Sequence, residues 1–106
     1  YNLHHGHAHI EDFDEVLALL KPYLLCLNLN GMTRDGDQRG KKILPVGDGE
    51  FDAKLLQLVR DSGYEGPIGI IGHTDGDVEL RLRANLDGLH RILRQLYEQE
   101  DADVPN

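Results

Sequence analysis

Tyr23-Leu24-Leu25-Cys26-Leu27 is an unbroken apolar run that ends abruptly in Asn28-Leu29-Asn30-Gly31. The run is too short for a helix and lacks alternation, so it reads as a strand buried on both faces, the pattern of a parallel sheet. A second such run, Pro67-Ile68-Gly69-Ile70-Ile71, ends at Gly72-His73. Two parallel strands need a crossover between them. The 39 residues separating these runs, 28–66, hold a segment that can supply it.

That segment is a helix predicted from about Asp52 to Ser62, with Leu55, Leu56 and Val59 inward and Gly63 as its stop. Upstream of the first run, Asp12 and Glu15 have the spacing of a capping box. They open a helix with Phe13, Val16, Leu17 and Leu20 on one face, and Pro22 ends it. Downstream, Thr74 and Asp77 cap a third helix whose stripe is Val78, Leu82, Leu86, Leu89, Leu93 and Leu96. Helices alternating with buried strands define an α/β chain with a parallel sheet and amphipathic helices. Residues 31–42 are polar, charged and Gly-rich, a loop of the length that is usually functional or mobile. Ile43-Leu44-Pro45-Val46 is a short extended piece and Gly47-Asp48-Gly49 a turn. The acidic stretch after Glu98 lacks apolar periodicity and reads as a frayed tail over 99–106.

Polar residues gather at the C-terminal ends of the strand-like runs, where parallel α/β folds build their sites. His4, His5, His7 and His9 precede the first helix. Several imidazoles together suit a transition metal, but no Cys, Asp or Glu stands at a familiar ligand spacing. One or two facing a pocket, the rest on a loop surface, is the plainer reading. Asn28 and Asn30 share one strand face, suiting recognition of hydroxyl groups or simply a strand end before an Asn-Gly turn. Arg34, Arg39, Lys41 and Lys42 make the long loop basic, as an anion clamp or as a solvated loop. Cys26 reads as a small core residue.

Charge and length set outer limits. A net charge of −8 on 106 residues opposes tracking a phosphate backbone, so nucleic acid is not an expected partner. No apolar run reaches bilayer length. The single cysteine excludes an internal disulfide and leaves the compartment, and hence localisation, open. The chain starts at Tyr1 without an initiator Met, so further chain is expected upstream.

In order, Asn2-Leu3-His4-His5, Leu27-Asn28-Leu29-Asn30-Gly31, Gly47-Asp48-Gly49 before a helix, and Ser62-Gly63-Tyr64-Glu65-Gly66-Pro67-Ile68-Gly69-Ile70 before a last long helix resemble a known group. This pattern is similar to the C-terminal part of the xylose isomerase-like TIM barrel superfamily, which includes sugar phosphate isomerases and epimerases. The resemblance implies that residues 1–98 are the C-terminal portion of a (β/α)8 TIM barrel, from the end of strand six to helix eight, with the rest of the barrel upstream. Metal-dependent members end three successive strands in Asp, His and Glu. Here those positions carry Asn2, Asn28 and Ile71, or Gly72 with a one-residue slip. A divalent metal is thus the family habit, but no metal ligand is assigned in this chain. His5 matches a substrate-contacting His and becomes the candidate acid/base. Asn2, His7, Asn28, Asn30, Arg34 and His73 become candidates for holding substrate. The resemblance implies a sugar or sugar-phosphate isomerase or epimerase with a small carbohydrate as partner. The alternatives are a non-catalytic carbohydrate-binding or scaffold barrel and a His-rich transition-metal binder. A part-barrel would also leave strand edges open and is expected to self-associate.

Overall fold

The computed structural model describes residues 1–72 and 76–103. Three α-helices and two strands alternate: α1 (Phe13–Leu20), β1 (Leu27–Leu29), α2 (Asp52–Asp61), β2 (Ile68–Ile70) and α3 (Val78–Asp103). Strands β1 and β2 pair in parallel, Leu27 opposite Ile68 and Leu29 opposite Ile70, with α2 as the crossover. The α/β order with a parallel pair is as the apolar runs predict.

The expected barrel portion is not what these residues form. The described chain is a small α/β unit with one two-stranded parallel sheet and three α-helices. A barrel wall needs a strand neighbour on both sides of each strand. Residues 1–2 offer β1 only a single parallel bridge, from Asn2 to Asn28, and Leu3–His5 and His7–His9 then turn as 3-10 helix. The Ile43–Val46 segment bridges in the antiparallel sense, Leu44 to Gly31, folding the long loop back over the end of β1. The apolar side chains close on one core: Leu3, Phe13, Leu17, Leu27, Leu29, Met32, Val46, Leu55, Val59, Ile92 and Leu96 are all buried.

Several local expectations shift for identifiable reasons. Pro22 sits inside a 3-10 turn, Lys21–Tyr23, that continues α1, so the strand begins later and Leu25 is 88% exposed. Pro fits the first turn of such a helix because its missing N–H has no intrahelical acceptor there. Asp12 stands at the N-cap of α1 but makes no capping hydrogen bond; its carboxylate faces His9 Nδ1 at 3.2 Å. Asp77 does cap α3, its Oδ1 accepting from the N–H of Glu79 at 2.9 Å, while Thr74, the other expected cap, lies outside the described residues. Gly63 ends α2 at φ 76°, a left-handed turn that a side chain would strain. The stripe on α3 divides: Leu96 is buried and Leu89 and Leu93 are half-buried, whereas Val78, Leu82 and Leu86 face solvent; Ile92, beside the stripe, is buried as well. No helix among the described residues is long and apolar enough to cross a membrane.

Candidate ligand-binding cleft

The long loop is organised by one carboxylate. Asp52, only 4% exposed at the start of α2, accepts the backbone N–H of Met32 on Oδ1 at 2.7 Å. Its Oδ2 accepts Gly47 and Gly49 N–H at 2.7 and 2.8 Å. A buried N–H needs an acceptor, and this side chain supplies three of them from a segment without regular structure. Burial pushes the Asp52 carboxyl above the ordinary carboxylate range, outweighing the three N–H bonds that pull it down, and Asp48 adds repulsion. From the other side α3 holds the same turn. Asn85 Oδ1 accepts Val46 N–H at 2.8 Å, and Arg91 Nη2 donates to Gly47 O at 3.0 Å.

Held in this way, the loop brings Arg34 against the segment preceding α1. His7, Ala8, Ile10, Glu11, Arg34, Asp35 and Phe51 line a cleft of about 210 Å³. The Arg34 guanidinium is contacted from two directions. Its Nη1 donates to Glu11 Oε1 at 3.0 Å, and its Cζ lies over the Phe51 ring, 5.6 Å from the centroid. Arg39 Nη1 donates to the main-chain O of Arg34 at 3.1 Å, tying a second arginine to the loop backbone. His7 Nδ1 bonds to His4 O at 3.1 Å, while Nε2 is buried against Gly36 with no hydrogen-bond partner among the described residues. Asp35 takes φ 53°, a left-handed conformation uncommon outside Gly and Asn/Asp turns, directly on the cleft wall.

The candidate residues separate into groups. His7 and Arg34 line the cleft together. Asn2 and Asn28 bond to each other, Asn28 Nδ2 donating to Asn2 Oδ1 at 2.8 Å across the bridge between their segments. Asn30, 2% exposed, donates from Nδ2 to Gly31 O at 2.9 Å and Lys42 O at 3.2 Å, fastening the loop's two ends. Its Oδ1 is buried without a partner among the described residues. His5 is exposed, its ring tilted against that of His4 with centroids 4.0 Å apart, and it is not among the residues lining the cleft. His73 lies outside the described residues. Among those described, no group of three or more His, Cys, Asp or Glu side chains is placed to hold a metal ion.

Glu11, Asp35, Phe51 and Asp52 went unpredicted. The signal for Asp52 was present: Gly47-x-Gly49-x-x-Asp52 sets an acidic side chain just after a Gly-rich turn whose N–H groups need acceptors. Glu11 and Phe51 carried no local signal, because their role depends on which residues meet Arg34 in space. No protein family, curated protein or solved structure matches this chain.

Proposed function

We propose that the protein binds a small hydroxylated anion, of the sugar-phosphate class, in the cleft between His7 and Arg34. The observation that carries this reading is the Arg34 guanidinium, oriented by Glu11 and Phe51 and exposed on a cleft wall of a chain whose net charge is −8. Glu11 Oε1 engages one of the five N–H donors of that guanidinium. The planar guanidinium fork is pre-organised by its own geometry, so it loses less entropy per hydrogen bond on meeting a phosphate or carboxylate. The cleft volume of about 210 Å³ lies below the roughly 300–1,000 Å³ of drug-sized sites. That favours a ligand of triose- or pentose-phosphate size. Glu11 and Asp35 carboxylates on the same wall accept from hydroxyl groups, which separates a sugar phosphate from bare phosphate.

Binding, rather than conversion, is the reading the geometry favours. Sugar isomerisation needs an acid/base group within hydrogen-bond reach of the reacting carbon's substituents. His5, the group the resemblance implies, does not line the cleft; of the side chains that do, His7 is bonded through Nδ1 to His4 O with Nε2 buried against Gly36, and Glu11 is paired with Arg34. The test is titration of the labelled protein with inorganic phosphate, a triose phosphate, a pentose phosphate and free pentose, following backbone amide shifts. Saturable shifts at His7, Arg34 and Asp35 are expected, strongest with a sugar phosphate. Arg34→Ala should weaken that binding roughly tenfold or more, the scale of a lost charge-assisted pair. Absence of saturable shifts with every probe would overturn the reading. Formation of an isomer in the same samples would replace binding by catalysis.

A further inference from the structure

Among the described residues, strand β2 has one partner and one open edge, and the open edge is self-complementary. Leu27 N–H donates to Pro67 O at 3.1 Å and Ile71 N–H donates to Leu29 O at 2.9 Å. Main-chain groups alternate sides along a strand, so Pro67, Gly69 and Ile71 face β1 while Ile68 and Ile70 turn theirs outward. Among the described residues, the outward N–H and C=O of Ile68 and Ile70 have no hydrogen-bond partner. Native sheets normally blunt such an edge with charge, proline or a covering element. Here the edge residues are isoleucines, and Ile68 is 49% exposed.

We infer that two copies of this chain associate through β2, paired antiparallel about a two-fold axis at Gly69. In that register Ile68 lies opposite Ile70 of the second copy. Opposed residues of a hydrogen-bonded pair exchange both main-chain bonds, so two such pairs use all four outward groups on each strand's edge. The two Gly69 residues form the central non-bonded pair, whose backbones approach more closely, and glycine puts no side chain between them. An isologous contact of this kind requires a surface complementary to itself, and Ile-Gly-Ile reads the same in both directions.

Helix α3 supplies the second layer of the contact. It returns from the C-terminal end of β2, where a Cβ on Gly72 would lie 3.8 Å from Asn85 Nδ2. Leu82, Leu86, Leu89, Leu93 and Leu96 recur at alternating spacings of four and three, the spacing of a helix-pair seam, with Leu89 and Leu93 already half-buried in the chain itself. Leu96 is buried in the chain's own core, whereas Leu82 and Leu86 are 53% and 39% exposed. A two-fold axis normal to the joined sheet sets the two α3 helices antiparallel on one face, and in the inferred dimer Leu82 and Leu86 are the leucines available to cover each other. With −8 on each copy, association strengthens as salt screens the repulsion.

The test is sedimentation of the full chain across concentration and salt, with hydrogen exchange at single amides. A dimer is expected that tightens with salt, in which the Ile68 and Ile70 amides become protected with rising concentration while Gly69, bonded to β1, is protected throughout. Ile68→Lys and Leu82→Glu, both at sites exposed in the single chain, should each weaken the dimer roughly tenfold or more while circular dichroism and the Gly69 amide stay unchanged. A monomer at every concentration overturns the inference. So does an assembly that both variants leave intact, or one in which the Ile68 and Ile70 amides exchange freely.

Discussion

Asp52→Ala is expected to lower the unfolding free energy by about 3–5 kcal/mol, since leaving a buried donor unsatisfied costs ~1–3 kcal/mol each. Three donors lose their acceptor at once. Met32 N–H is enclosed and bears the full penalty, whereas Gly47 and Gly49 N–H, only partly buried, recover some of theirs from water. A domain of this size is stable by roughly 5–15 kcal/mol, so a large part of the total is at stake. Denaturant unfolding measures the loss. The loop amides of Met32, Gly47 and Gly49 should also exchange far faster, and loosening of the loop should carry Arg34 away from Glu11. An effect below about 1 kcal/mol, the range of ordinary surface substitutions, would mean that the carboxylate does not organise the loop.

The same residue sets a pH dependence. Asp52 holds its proton more tightly in the folded protein than in the unfolded chain, chiefly because burial penalises the charged form. Its contribution to stability is therefore fully present below the unfolded carboxylate value. It is lost as pH rises through the raised folded value, because over that window the folded state binds more protons. Glu50 works in the opposite sense: the hydrogen bond from Thr33 holds its carboxyl below the usual range. Comparing the protein with Asp52→Asn isolates the Asp52 part. The difference in stability between the two should shift in favour of the variant as pH climbs through mildly acidic values. A difference independent of pH would remove the assigned cause.

Gly88→Ala gives the second large effect, and its sign separates two arguments. Judged by helix propensity, replacing a mid-helix glycine by alanine gains about 1 kcal/mol. Judged by packing, it loses. A Cβ at Gly88 would overlap the Val46 carbonyl oxygen and come within 2.7 Å of the Val46 carbonyl carbon and 3.2 Å of Gly47 Cα. These are backbone atoms, so no rotamer change relieves the overlap. The 45–47 turn cannot simply retreat, because Asn85 holds Val46 N–H and Arg91 holds Gly47 O from positions three residues either side of Gly88. Overpacking of this kind typically costs ~1–3 kcal/mol and occasionally more, so a net destabilisation of about 1–3 kcal/mol is expected from thermal or denaturant unfolding. Gly76, with open space around its Cβ position, is the control. Stabilisation by Gly88→Ala would show that α3 does not rest on the turn.

The strands and helices were legible to differing depths. The crossover helix and its glycine stop were readable because the amphipathic spacing and the left-handed terminus are local properties, and α2 runs Asp52–Asp61 with Gly63 at φ 76°. The first apolar run gave a strand displaced by several residues, because a 3-10 turn over Lys21–Tyr23 absorbed Pro22 and pushed Leu25 into solvent. The second run reads as a strand buried on both faces, whereas among the described residues β2 is an edge, since apolar character does not reveal whether a neighbouring strand exists. The barrel expectation failed on the same point: a resemblance in the order of short motifs carries no information about how many strands close beside them.

Of the candidate site, His7 and Arg34 were legible as residue types and meet at one cleft, whereas Asn2, Asn28 and Asn30 serve one another and the loop ends. Taken alone, the order of residues determined the alternation of helices and strands, the parallel sense implied by the crossover, and a net charge of −8. Each follows from spacing along the chain or from a sum over it. Tertiary structure alone decided that Asp52 anchors the loop, that Gly88 lies under Val46, that Glu11 and Phe51 aim Arg34, and that β2 keeps an open edge. Those facts depend on contacts between residues tens of positions apart. Local periodicity and propensity fix how each segment folds, whereas steric fit and hydrogen-bond satisfaction between segments are settled only when the core closes.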